Sequence, residues 1–256
     1  MLNLAVRILA NYLIVQTSII LFMLPFGLVY WYRHVKSSSD KLTLSRHLEN
    51  FFLSKQANYL VFFWALGEAL VWFVIPEFLL LLIVFMRIHR KKELLVYDVS
   101  GTVIGTTIAY FIHFSNNTIA HLPYIQKNMV AQTLAWYGRK GILGLLYQPF
   151  SGVPYKVFTL TANHYHFSLI IFVAFAILVR MSRYFIFFGL FIALYPGLHK
   201  YVYRNYVRLF IVVVFIFSVL LLKVYDSYGP NRQINFVEPK ISLVRPATHN
   251  SDSLLV

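Results

Sequence analysis

Residues 148–163 read QPFSGVPYKVFTLTAN. Pro149 and Pro154 lack a backbone donor, Gly152 favours turns, and Ser151 and Lys156 are polar, yet the chain around them is written mainly in lipid-compatible residues. A regular membrane helix does not accommodate such a stretch, and a water-facing loop is not followed by VFTL. Backbone broken at membrane depth meets both conditions, provided protein or a wet cavity satisfies it. Lys156 then belongs to a buried polar centre.

Outward from this stretch, the runs 8–32, 57–86, 100–114, 167–196 and 209–222 are dominated by Leu, Ile, Val and Phe. Of 256 residues, 59% are hydrophobic and 12% charged, more apolar side chain than a soluble core of this size hides. About 20 apolar residues cross a hydrocarbon core, so the chain reads as a multi-pass membrane protein. Tyr30, Trp31 and Tyr32 end the first run as an interfacial aromatic belt would. No small-residue cleavage site follows, which makes that run a retained helix. The absence of cysteine excludes disulfides, thiolate chemistry and cysteine metal sites. The net charge of +14 lies in short clusters beside apolar runs, which fits anionic lipid headgroups rather than nucleic acid.

The clusters thread the chain. Arg33, Lys36, Lys41, Arg46 and Lys55 follow the first run; Arg87, His89, Arg90, Lys91 and Lys92 follow the second. The positive-inside rule puts both in the cytoplasm, so the run between them enters and leaves on one side. Its middle, GEALVWFVIPE, holds Gly67, Glu68, Pro76 and Glu77, where a break is cheap. This predicts a re-entrant hairpin with its tip near 67–76. The run 100–114 crosses outward, with Gly101 and Gly105 on one face for close helix approach. A second broken segment, about 136–163, then enters from outside. The run 167–196 crosses back to a loop carrying His199, Lys200, Arg204 and Arg208, and 209–222 leads out to a mobile polar tail.

The expected organisation is a membrane helix over 1–32, a basic cytoplasmic segment over 33–56, a membrane core over 57–196, a cytoplasmic loop and last helix over 197–225, and a tail over 226–256. The fold class is all-α and polytopic, with two oppositely oriented re-entrant helical hairpins in an inverted repeat plus about four transmembrane helices. Such repeats place broken backbone and polar groups near the midplane, where substrate and ions bind.

GLLYQPFSGVPYKVFTLTAN followed by VRMSRYF resembles the second half of the DedA/VTT (SNARE-associated Golgi protein) superfamily, most like its YqaA-type branch. GEALVWFVIPEFLLL resembles the family's first re-entrant motif, and Gly101, Gly105 and Tyr110 match its glycine-spaced helix. The resemblance covers roughly 51–184, with Gln148, Gly152, Pro154 and Lys156 its most specific part. It implies a protein of the bacterial inner membrane that moves phospholipid or polyprenyl phosphate between leaflets, in some relatives with dependence on the proton gradient. The chain departs from the family at two places. Lys156 stands near the second of two arginines common in the second motif, with Gln148 or Phe150 near the first, and Thr106 stands where an acid is usual.

Glu68, Glu77, Lys156, Arg180 and Arg183 all lie in apolar surroundings. Insertion scales assign about 2.5–3.5 kcal/mol to each such charge at a helix centre, so some must be wet or paired. They read either as a binding and proton-coupling set or as internal salt bridges that neutralise one another; Arg180 and Arg183 could equally snorkel to headgroups. With Arg139, Gln148, Ser151, Gly152 and Pro154 they form the candidate site. Lys156, helped by Arg139 or Arg180, would hold an anionic phosphate, while Glu68 or Glu77 exchanges a proton. A competing role for Lys156 is as the partner of one of those acids. His164 and His166 read as an interfacial pair rather than a metal site, and Asn116-Asn117-Thr118 fits a glycosylation sequon without meaning in a bacterial inner membrane. Nothing resembles a catalytic triad, a phosphate loop or histidine boxes, so no enzyme, cofactor or metal is expected. The expected function is a lipid or lipid-carrier translocase whose partners are membrane lipids; the alternative is a scaffold recruiting partners through its basic face. Self-association to a homo-oligomer stays open.

Overall fold

The computed structural model describes residues 2–35, 44–75, 77, 79, 80, 83, 84 and 91–229. Lys36, Lys41, Pro76, Arg87, His89, Arg90 and the tail beyond Gly229, all used in the threading, lie outside the described residues. Every regular element among them is helical, and four helical stretches are long and apolar enough to cross a membrane: Asn3–Arg33, Lys92–Phe111, Leu169–Ile186 and Arg204–Ser227.

Helix α1 (Leu2–Tyr30) tucks Val15 and Ile19 into the protein while exposing Leu9, Leu13, Leu24 and Leu28. In water that surface would be an interaction hazard; in lipid it is matched to its solvent. At the far end of α1, Tyr30 meets Phe51 of α2 (Leu44–Leu53) with ring centroids 5.6 Å apart. Phe52 in turn packs on Tyr206 at 6.1 Å. Arg33, Arg46, Lys55, Lys92, Arg204 and Arg208 belong to this end, which is the basic one.

Helices α3 (Lys55–Leu70) and α4 (Lys91–Phe111) run side by side in the same direction. Tyr59 meets Tyr97, Gly101 lies against Phe62, and Gly105 lies against Leu66, so the register advances together along both helices. Their closeness needs the two glycines. A Cβ on Gly101 would come within 2.2 Å of the Phe62 carbonyl oxygen, and one on Gly105 within 2.8 Å of that of Leu66. Because α3 and α4 are parallel, the chain between them returns to the basic end where α3 began. The turn starts where α3 stops: residues 71–75 are non-helical, and Glu77, Leu79, Leu80, Ile83 and Val84 are helical again. Helix α4 begins earlier than its apolar run suggested, because Glu93 and Asp98 are held by Asn58 and Tyr184 rather than by water.

The short α5 (Asn116–Ala120) is capped by Ser115, whose hydroxyl accepts the Thr118 N–H. Helix α6 (Lys127–Lys140) gives way to a 3₁₀ turn (Gly141–Tyr147), then α7 (Gln148–Ser151) and α8 (Tyr155–Thr161). Gly152 separates the last two at φ +73, a left-handed conformation that suits glycine, with Val224 packed where a side chain would be. The second backbone break is therefore real. Helix α6 packs on the 3₁₀ turn and α8.

Helix α9 (Leu169–Ser227) replaces the expected loop over 197–208 with helix. Its single non-helical residue, Asn205 at φ −114 and ψ 21, is where it doubles back. Arg183 bonds Gln148, and Val224 abuts Gly152 only four residues along. A straight helix would hold Arg183 and Val224 about 60 Å apart. The returning arm packs antiparallel on α1 through Asn11 to the Ser218 carbonyl and Arg7 to Asp226. The four candidate spans thus alternate in direction, with the connection from α1 to α4 and the turn of α9 at the basic end and the connection from α4 to α9 at the other.

This threading is testable by reporter tags. Tags near Arg46, Lys92 and Arg204 are expected on one side of the membrane and a tag near Asn117 on the other. Opposite sides for Arg46 and Lys92 would contradict the parallel α3–α4 pair.

Candidate functional site

The site is built where the two breaks meet. Ending α3 inside the protein leaves carbonyls without helical donors. The Gly67 carbonyl takes two, Val71 N at 2.8 Å and Trp72 N at 2.6 Å. Side chains from elsewhere take the rest. Thr159 Oγ1 donates to the Ala69 carbonyl at 2.7 Å, Lys156 Nζ to that of Val71 at 2.8 Å, and Trp64 Nε1 to that of Val74 at 2.9 Å. Thr159 and Lys156 both stand on α8, so the segment after the second break closes the first. Lys156 is 0% exposed and also donates to the Pro123 carbonyl at 2.7 Å. A cation at a helix C-terminus suits the helix dipole as well.

Lys156 is not the partner of an acid: it holds backbone carbonyls, and the acids pair with arginines. Arg180 Nη1 lies 2.6 Å from Glu68 Oε2, and its Nε lies 3.4 Å from Asp98 Oδ2. The same Nε donates to Tyr184 Oη at 2.9 Å, and the Tyr184 hydroxyl donates to Asp98 in a short hydrogen bond. One helical turn on, Arg183 Nη2 pairs with Glu77 Oε2 at 2.7 Å and Nη1 donates to Gln148 Oε1 at 3.2 Å. The guanidinium of Arg180 also sits over the Tyr155 ring, 5.4 Å from its centroid, and the Tyr155 hydroxyl bonds Thr106 at 2.7 Å. All six charged groups are buried. Three carboxylates and three cations are enclosed together, the carboxylates paired with the two arginines, and neither arginine is turned out to the surface.

Of the expected site residues, Glu68, Glu77, Gln148, Lys156, Arg180 and Arg183 come together. Ser151 and Gly152 shape the second break: the Ser151 hydroxyl accepts the Val153 N–H and its carbonyl accepts the Tyr228 hydroxyl. Pro154 starts α8 from an extended conformation. Arg139 is elsewhere, exposed at the end of α6 and outside the network. His164 and His166 are exposed, and no group of three metal-ligating side chains occurs among the described residues.

Asp98, Tyr184 and Tyr155 escaped the sequence reading, and Thr106 entered it only as a departure from the family pattern. A signal for Asp98 was present: two acids against Arg180, Arg183 and Lys156 leave one positive charge over. Asp98 is 0% exposed and restores the balance. Several network atoms keep no hydrogen-bonding partner, among them Arg180 Nη2, Asp98 Oδ1 and Glu77 Oε1. A buried group left this way is costly unless water or a ligand reaches it. The arrangement can bind an anion at arginine and exchange a proton at carboxylate. No protein-family model, no curated protein and no solved structure matches the chain.

Two stability measurements check the wiring. Glu77→Leu strands the Arg183 guanidinium and is expected to cost about 3–5 kcal/mol, most of it recovered in Glu77→Leu/Arg183→Leu. Additive losses in thermal unfolding of the purified variants would mean the pair does not form. Lys156→Met keeps the stem but removes the donors to Val71 and Pro123, with an expected loss of about 1–3 kcal/mol for each stranded carbonyl. An unchanged unfolding midpoint would show that the ammonium does not hold the break.

Proposed function

We propose that this protein moves lipid, or a lipid carrier such as polyprenyl phosphate, between the leaflets of a bacterial inner membrane in support of envelope homeostasis. One observation carries the reading: a balanced but incompletely satisfied ion network lies where two breaks in the helical backbone meet. Intramembrane charges are costly and functional by default, and discontinuous helices beside them are how transporters build sites. In this reading the α3 segment is a re-entrant hairpin entering from the cytoplasm, supported by the parallel α3–α4 pair. The segment from Gly141 to Tyr165 is its inverted counterpart from the other face. Kinship with the DedA/VTT superfamily belongs to the same proposal and rests on the motifs in 51–184.

The roles follow from the contacts. Arg180 and Arg183 are the phosphate-facing cations, since a guanidinium can serve a carboxylate and an incoming phosphate through separate N–H groups. Glu68 and Asp98 are the proton-exchanging acids, because both lean on Arg180 and would be released when a phosphate takes it. Lys156 positions the break rather than the lipid.

Leaflet exchange of a fluorescent phosphatidylglycerol in vesicles tests this. The wild-type protein should accelerate exchange over empty vesicles. Asp98→Asn and Glu68→Gln should each slow it by about tenfold or more, equivalent to roughly 1.4 kcal/mol on the barrier. Intact protein that leaves the rate at the empty-vesicle level would remove the translocase reading and favour a scaffold.

A further inference from the structure

The fold-back of α9 makes a second polar feature, remote from the ion network. At the basic end, Tyr201, Arg204, Asn205, Tyr206, Val207 and Arg208 line a cavity of about 500 Å³. That size falls within the range of ligand sites. It exists because the helix breaks at Asn205, whose side-chain amide donates to the Tyr201 carbonyl at 3.1 Å and so ties the turn locally. Arg204 and Arg208 are exposed, and neither pairs with a carboxylate among the described residues. Two guanidinium groups four residues apart repel one another, a small penalty that an anion placed between them removes.

We infer that this groove is a docking site for the phosphate headgroup of an anionic phospholipid in the adjoining leaflet. Depth argues for lipid over a soluble anion. Arg204 opens the apolar span Arg204–Ser227, so the groove lies at headgroup level, where arginine and tyrosine are at home. Below it Val207 and Ile211 are 37% and 45% exposed, an apolar surface positioned for acyl chain. The docked headgroup would brace the turn that sets the two arms of α9 together. This does not depend on lipid translocation and stands or falls separately.

The test uses the purified full chain in detergent, with phosphatidylglycerol and phosphatidylcholine compared by native mass spectrometry and by thermal shift. The wild type should retain and be stabilised by phosphatidylglycerol in preference to phosphatidylcholine. Arg204→Gln/Arg208→Gln should bind it about twenty-five-fold more weakly, from roughly fivefold for each basic residue at a lipid surface. Both side chains are exposed, so its lipid-free midpoint should match the wild type. Arg204→Lys/Arg208→Lys should keep the preference, and Lys127→Gln/Lys223→Gln, at the opposite end, should bind as the wild type does. The proposal is overturned if the wild type does not discriminate between the lipids, if the glutamine variant binds normally, or if the opposite-end variant loses as much. Displacement of the lipid by millimolar inorganic phosphate would make the groove a free-anion site and overturn it too.

Discussion

The ammonium of Lys156 on the Val71 carbonyl is the contact on which the membrane core turns. A helix that stops inside the protein leaves carbonyls without helical donors, and each needs a partner. Here the Gly67 carbonyl is closed by the local backbone, those of Ala69 and Val71 by Thr159 and Lys156 on α8, and that of Val74 by Trp64 on α3 itself. The first half of the chain therefore cannot keep its break without the second. Lysine fits this task better than arginine, since a compact ammonium directs separate donors to Val71 and Pro123 without needing a planar acceptor.

Closing the break at that point fixes where the charges fall. Glu68 sits one turn before the stop and Glu77 just after it, so both acids are carried to the same depth from opposite legs of the turn. Arg180 and Arg183 reach them from one face of α9, and α4 brings Asp98 in from the side. For stability alone, a well-packed apolar set would serve as well as a buried ion network, and often better. The chain instead keeps three carboxylates and three cations, with donor and acceptor atoms still unspent. That is the physical ground for reading the cluster as a site.

Much of this was legible in the sequence. Proline and glycine mark both breaks, and the spacing of Gly101 and Gly105 predicts a close helix approach, which the structure gives to α3 through the Phe62 and Leu66 carbonyls. The apolar runs 8–32, 100–114, 167–196 and 209–222 each overlap one of the four candidate spans. Two things were not legible. Asp98 follows Lys91, Lys92 and Glu93, so local pattern assigns it to a polar flank, and only the tertiary approach of Tyr184 and Arg180 makes it internal. The helix through 197–208 was hidden for the opposite reason. Its basic residues mark a loop in a topology rule, but they are good helix formers and the turn needs one residue, Asn205. Lys156 shows a subtler limit. Sequence identifies the buried charge but not its partner, because backbone carbonyls, the acceptors it uses, have no signature of their own.

The doubled form of α9 has a mechanical consequence for the second break. The segment from Gln148 to Gly152 is held from both arms: Arg183 on the outgoing arm donates to Gln148, while Val224 and Tyr228 close the returning side against Gly152 and Ser151. Moving that segment means parting it from one arm or moving both. The arms are joined through the turn at Asn205, so a displacement shared by both is carried to the basic end of the helix. The same segment leads through Gly152 and Pro154 into Lys156, and from there into the Val71 carbonyl. The ion network, the first break and the turn of α9 are thus three loads on one short piece of backbone. Its two prolines fix φ on either side, and its glycine takes the left-handed conformation that another residue would resist, so the piece turns at one place and stays stiff around it.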